Sequence, residues 1–395
     1  MKRLLAFILA TAIVLTTGLT VFADTATNSE AENESSGFVP TVDLEIDAAE
    51  AYLCDAQTGT VLYAKNENER RSPASVTKVM TLLLVCEALG EGAIKLDDKV
   101  SVSAYAASMG GSQVFLEEGE RFSVEELIKC TVIASANDAA VALAEYCAGS
   151  EAAFVSKMNE RARLLGLTNT SFENVTGLDD ETVNHYTTAR DIAVMSRELI
   201  KHDVILKYSS VWQDTIRDGE FTLTNTNRLV RYYDGCNGLK TGSTDKAGYC
   251  VSATAERDGL TLIAVVMGAE SRDKRNAAAR AMLDYGFSSF ALYCDGAEYL
   301  EDVPVLSGKS DGVAAVSEGF TALSPKAKLS KVEKHFDIPE SLEAPIKKGD
   351  VIGSIVYTLD GAELGRADIY ADSDVEKITF IDIYLRILSN IFSGV

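Results

Sequence analysis

Histidine is nearly absent from this chain: only His185, His202 and His335 occur. None belongs to an HExxH or CxxH cluster, which excludes a histidine-rich zinc hydrolase and leaves little room for a Ser-His-Asp hydrolase. Positive charge is also short, with 37 Lys and Arg against 59 Asp and Glu and a formal net charge of -22. Without a basic face, nucleic acid is excluded as a partner. CxxC spacing is missing too. The seven cysteines (Cys54, Cys86, Cys130, Cys147, Cys236, Cys250 and Cys294) are odd in number and sit mostly within apolar runs. No essential disulfide framework is expected of them, since cysteine in such runs behaves as a small hydrophobe.

What is present is ample for a large folded protein. The chain has 395 residues, 47% of them hydrophobic and 24% charged, so two or more domains with a sizeable core are expected. Both ends carry membrane signals. Lys2 and Arg3, the apolar stretch Leu4 to Leu15 and the small-residue site Val21-Phe22-Ala23 form an export signal over residues 1–23. Its apolar stretch spans about a dozen residues, short of the ~20 that cross a bilayer, so cleavage is favoured over an uncleaved anchor. Residues 24–38 are polar and acidic, a disordered spacer. Near the C-terminus, Asp382, Arg386, Ser389, Asn390 and Ser393 recur at helical steps. Ile381, Tyr384, Leu385, Leu388 and Phe392 can cover the opposite face. Such an amphipathic helix can lie in a membrane interface or dock on the protein itself, and it lacks the cation-rich polar face usual for anionic lipids.

Between the ends the pattern changes twice. AEAYLCD, AQTG and TVLYAK read as a β-hairpin. RSPASVTKVMTLLLVCEALGEG reads as a buried helix, with Ser72 as N-cap, Pro73 at its first position and Gly90 as its stop. Residues 95–235 look mainly helical, with a break at Ser135-Ala136-Asn137 where Asn137 or Asp138 caps a restarted helix. GLKTGSTDKAGYCVSATA and LTLIAVVMGAE give two adjacent strands, and SRDKRNAAARAMLDYGF a helix. Strands from both ends of the segment thus flank a helical middle, which predicts an antiparallel sheet covered by the first and last helices plus a helical insertion. Residues 290–375 carry short alternating runs separated by turns, a small all-β domain. The fold class is α+β.

Three short motifs carry the chemistry: Ser75-Val76-Thr77-Lys78, Ser135-Ala136-Asn137 and Lys240-Thr241-Gly242. Each alone is weak; their order and settings are what count. A serine hydroxyl needs a base, and Lys78 lies one helical turn from Ser75 on the same face. A lysine must be neutral to act as base, which burial and a second cation, Lys240, would promote. The competing reading of Lys78 is a solvated lysine. Ser135 could pass a proton to a leaving amine and Asn137 offer its amide to a peptide-like substrate, although both also suit a plain helix cap. Thr241 and Ser243 would present hydroxyls to a substrate carboxylate, and Gly242 would let a substrate backbone approach an edge strand. The N–H groups of Ser75 and Ser243 are the natural oxyanion donors.

These motifs, with SPASVTKVMT, GGSQVFLEEGE, NVTGLDDETVNHYTTARDIA, GLKTGSTDKAGYC and LEAPIKKGDVIG, resemble the low-molecular-mass penicillin-binding proteins of the serine D-alanyl-D-alanine carboxypeptidase family, from about residue 40 onward. The resemblance implies a β-lactamase/penicillin-binding-protein-like catalytic domain over 39–288, a β domain over 289–376 and a membrane-anchor helix over 377–395. It implies that Ser75 attacks the penultimate D-alanine of a cell-wall stem peptide, that the terminal D-alanine leaves, and that penicillins are trapped on Ser75. It also implies that Arg275, with Arg272 close by, helps to hold the terminal carboxylate. The C-terminal helix would hold the exported enzyme at the outer face of the cytoplasmic membrane, and no cofactor or metal is implied. The rivals are a class A β-lactamase, against which SAN in place of SDN and the β domain both argue, a peptidoglycan- or β-lactam-sensing module without turnover, and endopeptidase or transpeptidase use of the same acyl-enzyme.

Overall fold

The computed structural model describes residues 44–180 and 182–393. The export signal and the spacer expected from the sequence lie outside them. The centre of the region up to residue 289 is a five-stranded antiparallel sheet. Its first two strands, β1 (Glu50–Asp55) and β2 (Val61–Lys65), form the expected hairpin. Helices follow: α1 (Lys78–Gly90), α2 (Val124–Val132), α3 (Asn137–Ala148), α4 (Glu151–Leu164) and α5 (Ala189–Leu199). A short hairpin, β3 (Gln213–Ile216) with β4 (Phe221–Thr224), interrupts what the sequence suggests is helical. The sheet is completed by β5 (Cys236–Thr244), β6 (Gly248–Arg257) and β7 (Leu260–Ala269), before helix α6 (Arg272–Ser289). The expected two strands are therefore three, because the Thr244–Gly248 segment turns the chain back on itself.

Strand order is β2-β1-β7-β6-β5, so the strand holding Lys240, Thr241 and Gly242 lies on the open edge. The central strands are apolar on both faces because both are covered. Tyr52, Cys54, Ile263, Val265 and Met267 face the helical layer that includes α1, α3 and α5. Their sequence neighbours Leu53, Leu262, Ala264 and Val266 face α6 through Ala278, Ala279, Met282 and Leu283. This is period-two alternation with no polar side, and each fully buried Leu or Val contributes about 1.5–3 kcal/mol.

Helix α1 begins differently from the sequence reading. Ala74–Thr77 form a tight 3-10 turn ahead of it, and Pro73, not Ser72, precedes that turn. Ser72 makes no cap, because its hydroxyl is committed to Asp179 (2.8 Å). Likewise α3 has Ala136 at its N-cap and no side-chain cap, since Asn137 and Asp138 are both engaged elsewhere.

Beyond α6 the chain forms β8 (Phe290–Asp295), β9 (Tyr299–Leu306), β10 (Gly312–Ser317), β11 (Phe320–Pro325), β12 (Val332–Asp337), β13 (Leu342–Glu343), β14 (Val351–Leu359) and β15 (Ala362–Ala371). A six-stranded sheet and the β8–β11 pair close over Ile355, Ile369 and the stacked rings of Phe320 and Tyr357, 3.9 Å apart. The last helix, α7 (Phe380–Ser393), is tethered to this domain by Ile378 N–H on Ser307 O (2.7 Å), while Phe380, Ile381, Tyr384 and Leu385 remain exposed. No described helix is long and apolar enough to cross a membrane.

Candidate active site

The site forms where the turn before α1, the α2–α3 junction and the edge strand β5 meet. Ala74 takes a left-handed backbone conformation (φ 48°), as does Ser135 (φ 63°). Each such residue costs of order 1–3 kcal/mol, and such strain concentrates at functional sites. Two glycines make the close packing possible. A Cβ on Gly242 would stand 2.7 Å from Ser75 N, and one on Gly177 would stand 1.8 Å from Ala74 O.

Lys78 is fully buried, which removes the solvated-lysine reading. Its Nζ donates to Asn137 Oδ1 (2.6 Å) and to the Thr176 carbonyl (2.8 Å) and lies 3.0 Å from Ser75 Oγ. A neutral amine has two N–H donors and one lone pair, which suits two acceptors and one hydroxyl. Burial, followed by the repulsion of Lys240, holds the Lys78 pKa well below its ordinary value, partly opposed by Asp138. Lys240, also buried, donates to Ser135 Oγ (2.7 Å) and to Thr241 O (2.9 Å). Its pKa is lowered to about 7 by burial and then by Arg275.

Of the remaining expected residues, Asn137 also donates through Nδ2 to Gly110 O (2.7 Å), which fixes its amide orientation. Thr241 donates to Thr226 Oγ1 (2.8 Å), and Ser243 is exposed on the strand edge. Arg275 is buried in the first turn of α6 and donates to Asn276 Oδ1 (2.9 Å). Burial, followed by the neighbouring Arg272, lowers its pKa to about 10. Ser75, Lys78, Ser135, Asn137, Lys240, Thr241 and Gly242 are thus linked by direct contacts, and Arg275 lies close enough to act on Lys240 through charge.

Several groups that hold the site were not read as site residues from the sequence. Asp179 Oδ2 accepts from both Ser72 (2.8 Å) and Thr244 (2.6 Å), clamping the turn that leads to Ser75 to the end of β5. Asp138 is fully buried and accepts from Val114 N (3.0 Å) and Leu116 N (3.1 Å). His185 is structural: its Nδ1 accepts from Glu173 N (3.0 Å), so Nε2 donates to Thr77 Oγ1 (2.7 Å). Burial lowers its pKa to about 4, so it stays neutral. All seven cysteines carry free thiols.

A half-buried serine against a fully buried lysine, beside a Lys-Thr-Gly edge strand, on this sheet and with this β domain, is the arrangement of the penicillin-binding proteins. The structure of penicillin-binding protein 5 from Haemophilus influenzae superimposes with a TM-score of 0.73 and 32% identity, over 85% of this chain and 99% of that one. The family described as D-alanyl-D-alanine carboxypeptidase matches residues 36–271, and the C-terminal domain of penicillin-binding protein 5 matches residues 287–377. The chain belongs to the D-alanyl-D-alanine carboxypeptidase family. It is 42% identical to the D-alanyl-D-alanine carboxypeptidase DacF of Bacillus subtilis over 99% of both chains. It is also similar to penicillin-binding protein D2 from Listeria monocytogenes in its ampicillin-bound form, with a TM-score of 0.57 and 31% identity over 62% of this chain and all of that one. The β domain and these relatives tell against the class A β-lactamase reading.

Proposed function

We propose that this protein is a serine D-Ala-D-Ala carboxypeptidase that removes the terminal D-alanine from peptidoglycan stem peptides through an acyl-enzyme on Ser75, and that penicillins acylate the same serine. The observation that carries this reading is the Lys78 amine, buried, 3.0 Å from Ser75 Oγ and saturated on its other contacts by Asn137 and Thr176. Ser75 Oγ attacks the carbonyl carbon of the penultimate D-alanine while its proton passes to Lys78 Nζ. The oxyanion forms at the N–H groups of Ser75 and Ser243. The C–N bond then breaks as Ser135 gives its hydroxyl proton to the departing D-alanine amine. Lys240, at 2.7 Å, restores that proton, so the two lysines together hold as many protons after acylation as before. Water then attacks the ester as Lys240, now neutral, takes the water's proton through Ser135, and Ser75 leaves with the proton held by Lys78.

Thr241, Ser243 and Arg275 hold the terminal carboxylate, and Gly242 lets the peptide lie against the edge strand. The experiment is the release of D-alanine from a pentapeptide ending in D-Ala-D-Ala. Arg275→Gln is expected to raise KM at least about tenfold, as loss of a charged partner does, with a smaller change in kcat. An unchanged KM would remove Arg275 from the carboxylate site.

We further propose that the chain is exported by residues 1–23 and held at the outer face of the cytoplasmic membrane by α7. The exposed apolar residues of α7 support this. In co-sedimentation with phospholipid vesicles, the mature chain is expected in the pellet and a form lacking 377–395 in the supernatant. Equal partitioning of the two forms would contradict an anchoring role.

A further inference from the structure

Phe115 is 64% exposed and takes a left-handed backbone conformation, φ 57°. A bulky aromatic residue adopts that region only when its surroundings impose it. Here they do. The N–H groups of Val114 and Leu116 on either side are held by buried Asp138, at 3.0 and 3.1 Å. Arg217 donates to the carbonyls of Val114 and Phe115, both at 2.9 Å. Arg217 is itself fixed by Glu120 (2.8 Å) and stacked over Phe122 and Phe221. Val114 and Leu116 are therefore drawn into the core while the ring between them is turned outward, edge-on to Phe221 with centroids 6.4 Å apart. Core packing does not explain a strained backbone that displays an aromatic ring to solvent.

Its position suggests what the ring is for. Along the same loop, Gly110 O and Ser112 O accept from Asn137 Nδ2 and N, both at 2.7 Å. On the other side, the strand of Phe221 runs on to Thr226, which accepts from Thr241. Both segments that carry the aromatic pair thus lead to residues of the site, and the loop of Phe115 enters beside Asn137, the residue assigned above to the peptide-like part of the substrate. We propose that Phe115 is a specificity-determining residue that provides an apolar face for the acyl-side portion of the substrate, the long aliphatic side chain of the residue preceding the D-alanine pair. This rests on the carboxypeptidase reading for the identity of the substrate, and on Ser75 acylation alone for its penicillin counterpart.

The test compares ratios. Values of kcat/KM are measured for diacetyl-L-Lys-D-Ala-D-Ala and acetyl-Gly-D-Ala-D-Ala, and acylation constants for benzylpenicillin and 6-aminopenicillanic acid, which lacks the side chain. In wild type the member with the larger acyl-side group is favoured in each pair. Phe115→Gly is expected to reduce both preferences about tenfold, the scale one side chain's apolar contact supports. Its thermal midpoint is expected not to fall, because glycine accepts the left-handed backbone freely. Phe115→Tyr keeps the ring and is expected to keep the preferences. Unchanged ratios in a folded Phe115→Gly protein would overturn the proposal. If wild type is acylated but releases no D-alanine, the carboxypeptidase reading fails alone and the penicillin pair still decides the role of Phe115. With no acylation of wild type, both fall.

Discussion

A Lys78→Met protein is expected to be acylated about a thousandfold more slowly than wild type, because a positioned general base contributes 10²–10⁴. Methionine matches the lysine stem in volume and can occupy the buried space, but it has no lone pair able to take the Ser75 proton. The wild-type pH profile carries the same information. Burial and Lys240 hold Lys78 well below the ordinary lysine value, so the neutral amine is present at lower pH than in a free lysine. Raising the pH through that lowered value increases the fraction of competent base, and the rate should climb on this limb. In Lys78→Met the limb should disappear along with most of the rate. The mutation also leaves Asn137 Oδ1 and the Thr176 carbonyl without their donor, so thermal melting must accompany the kinetics. Acylation within tenfold of wild type in a folded variant would show that Lys78 is not the base.

The largest structural effect is expected at Gly177. Its φ is 84°, and an added Cβ would lie 1.8 Å from Ala74 O, 2.3 Å from Ala74 C and 2.8 Å from Thr77 Oγ1. Those neighbours are backbone and a buried side chain of the turn that carries Ser75, where Ala74 is itself left-handed and cannot move freely. Gly177→Ala should therefore cost more than about 3 kcal/mol and displace Ser75, with acylation lost as well. Gly92→Ala separates the two causes: Gly92 has a similar φ of 72° with nothing near its missing Cβ. There only the backbone penalty of about 1 kcal/mol remains, with activity intact. Thermal midpoints and penicillin acylation of the two variants measure this directly. Equal, small losses in both would mean that the turn is more yielding than its packing indicates.

The serine–lysine pair was legible because its partners are three residues apart, a spacing that places them on one face of any helical turn. The Lys-Thr-Gly strand was legible because GLKTGSTDKAGYCVSATA reads as strand, and a glycine within it lets a substrate backbone come close. Helix capping misled at Ser72, Asn137 and Asp138 for one reason. These are residue types that favour caps, but their side chains bond across the fold, to Asp179, to Lys78 and to the backbone around Val114. Local propensity has no knowledge of a partner that lies 24 to 107 positions away. The Thr176 carbonyl that fixes Lys78 leaves no trace in sequence at all, since every residue has one. Asp179 sits within the quoted NVTGLDD stretch, yet only the meeting of the Ser72 turn with Thr244 gives it a task. The hairpin of Gln213–Ile216 and Phe221–Thr224 escaped because each strand has only four residues, too few to set a period of two against one of 3.6.

The most direct test is mass spectrometry of the mature protein after incubation with a penicillin, together with an assay for D-alanine released from a pentapeptide ending in D-Ala-D-Ala. The expected result is a single adduct on the peptide containing Ser75, with D-alanine release, both abolished by Ser75→Ala. An adduct without release would indicate a sensor or an enzyme that uses another acceptor. Rapid penicillin turnover with no lasting adduct would indicate a β-lactamase. No reaction at Ser75, or an adduct that persists in Ser75→Ala, would contradict the catalytic assignment outright.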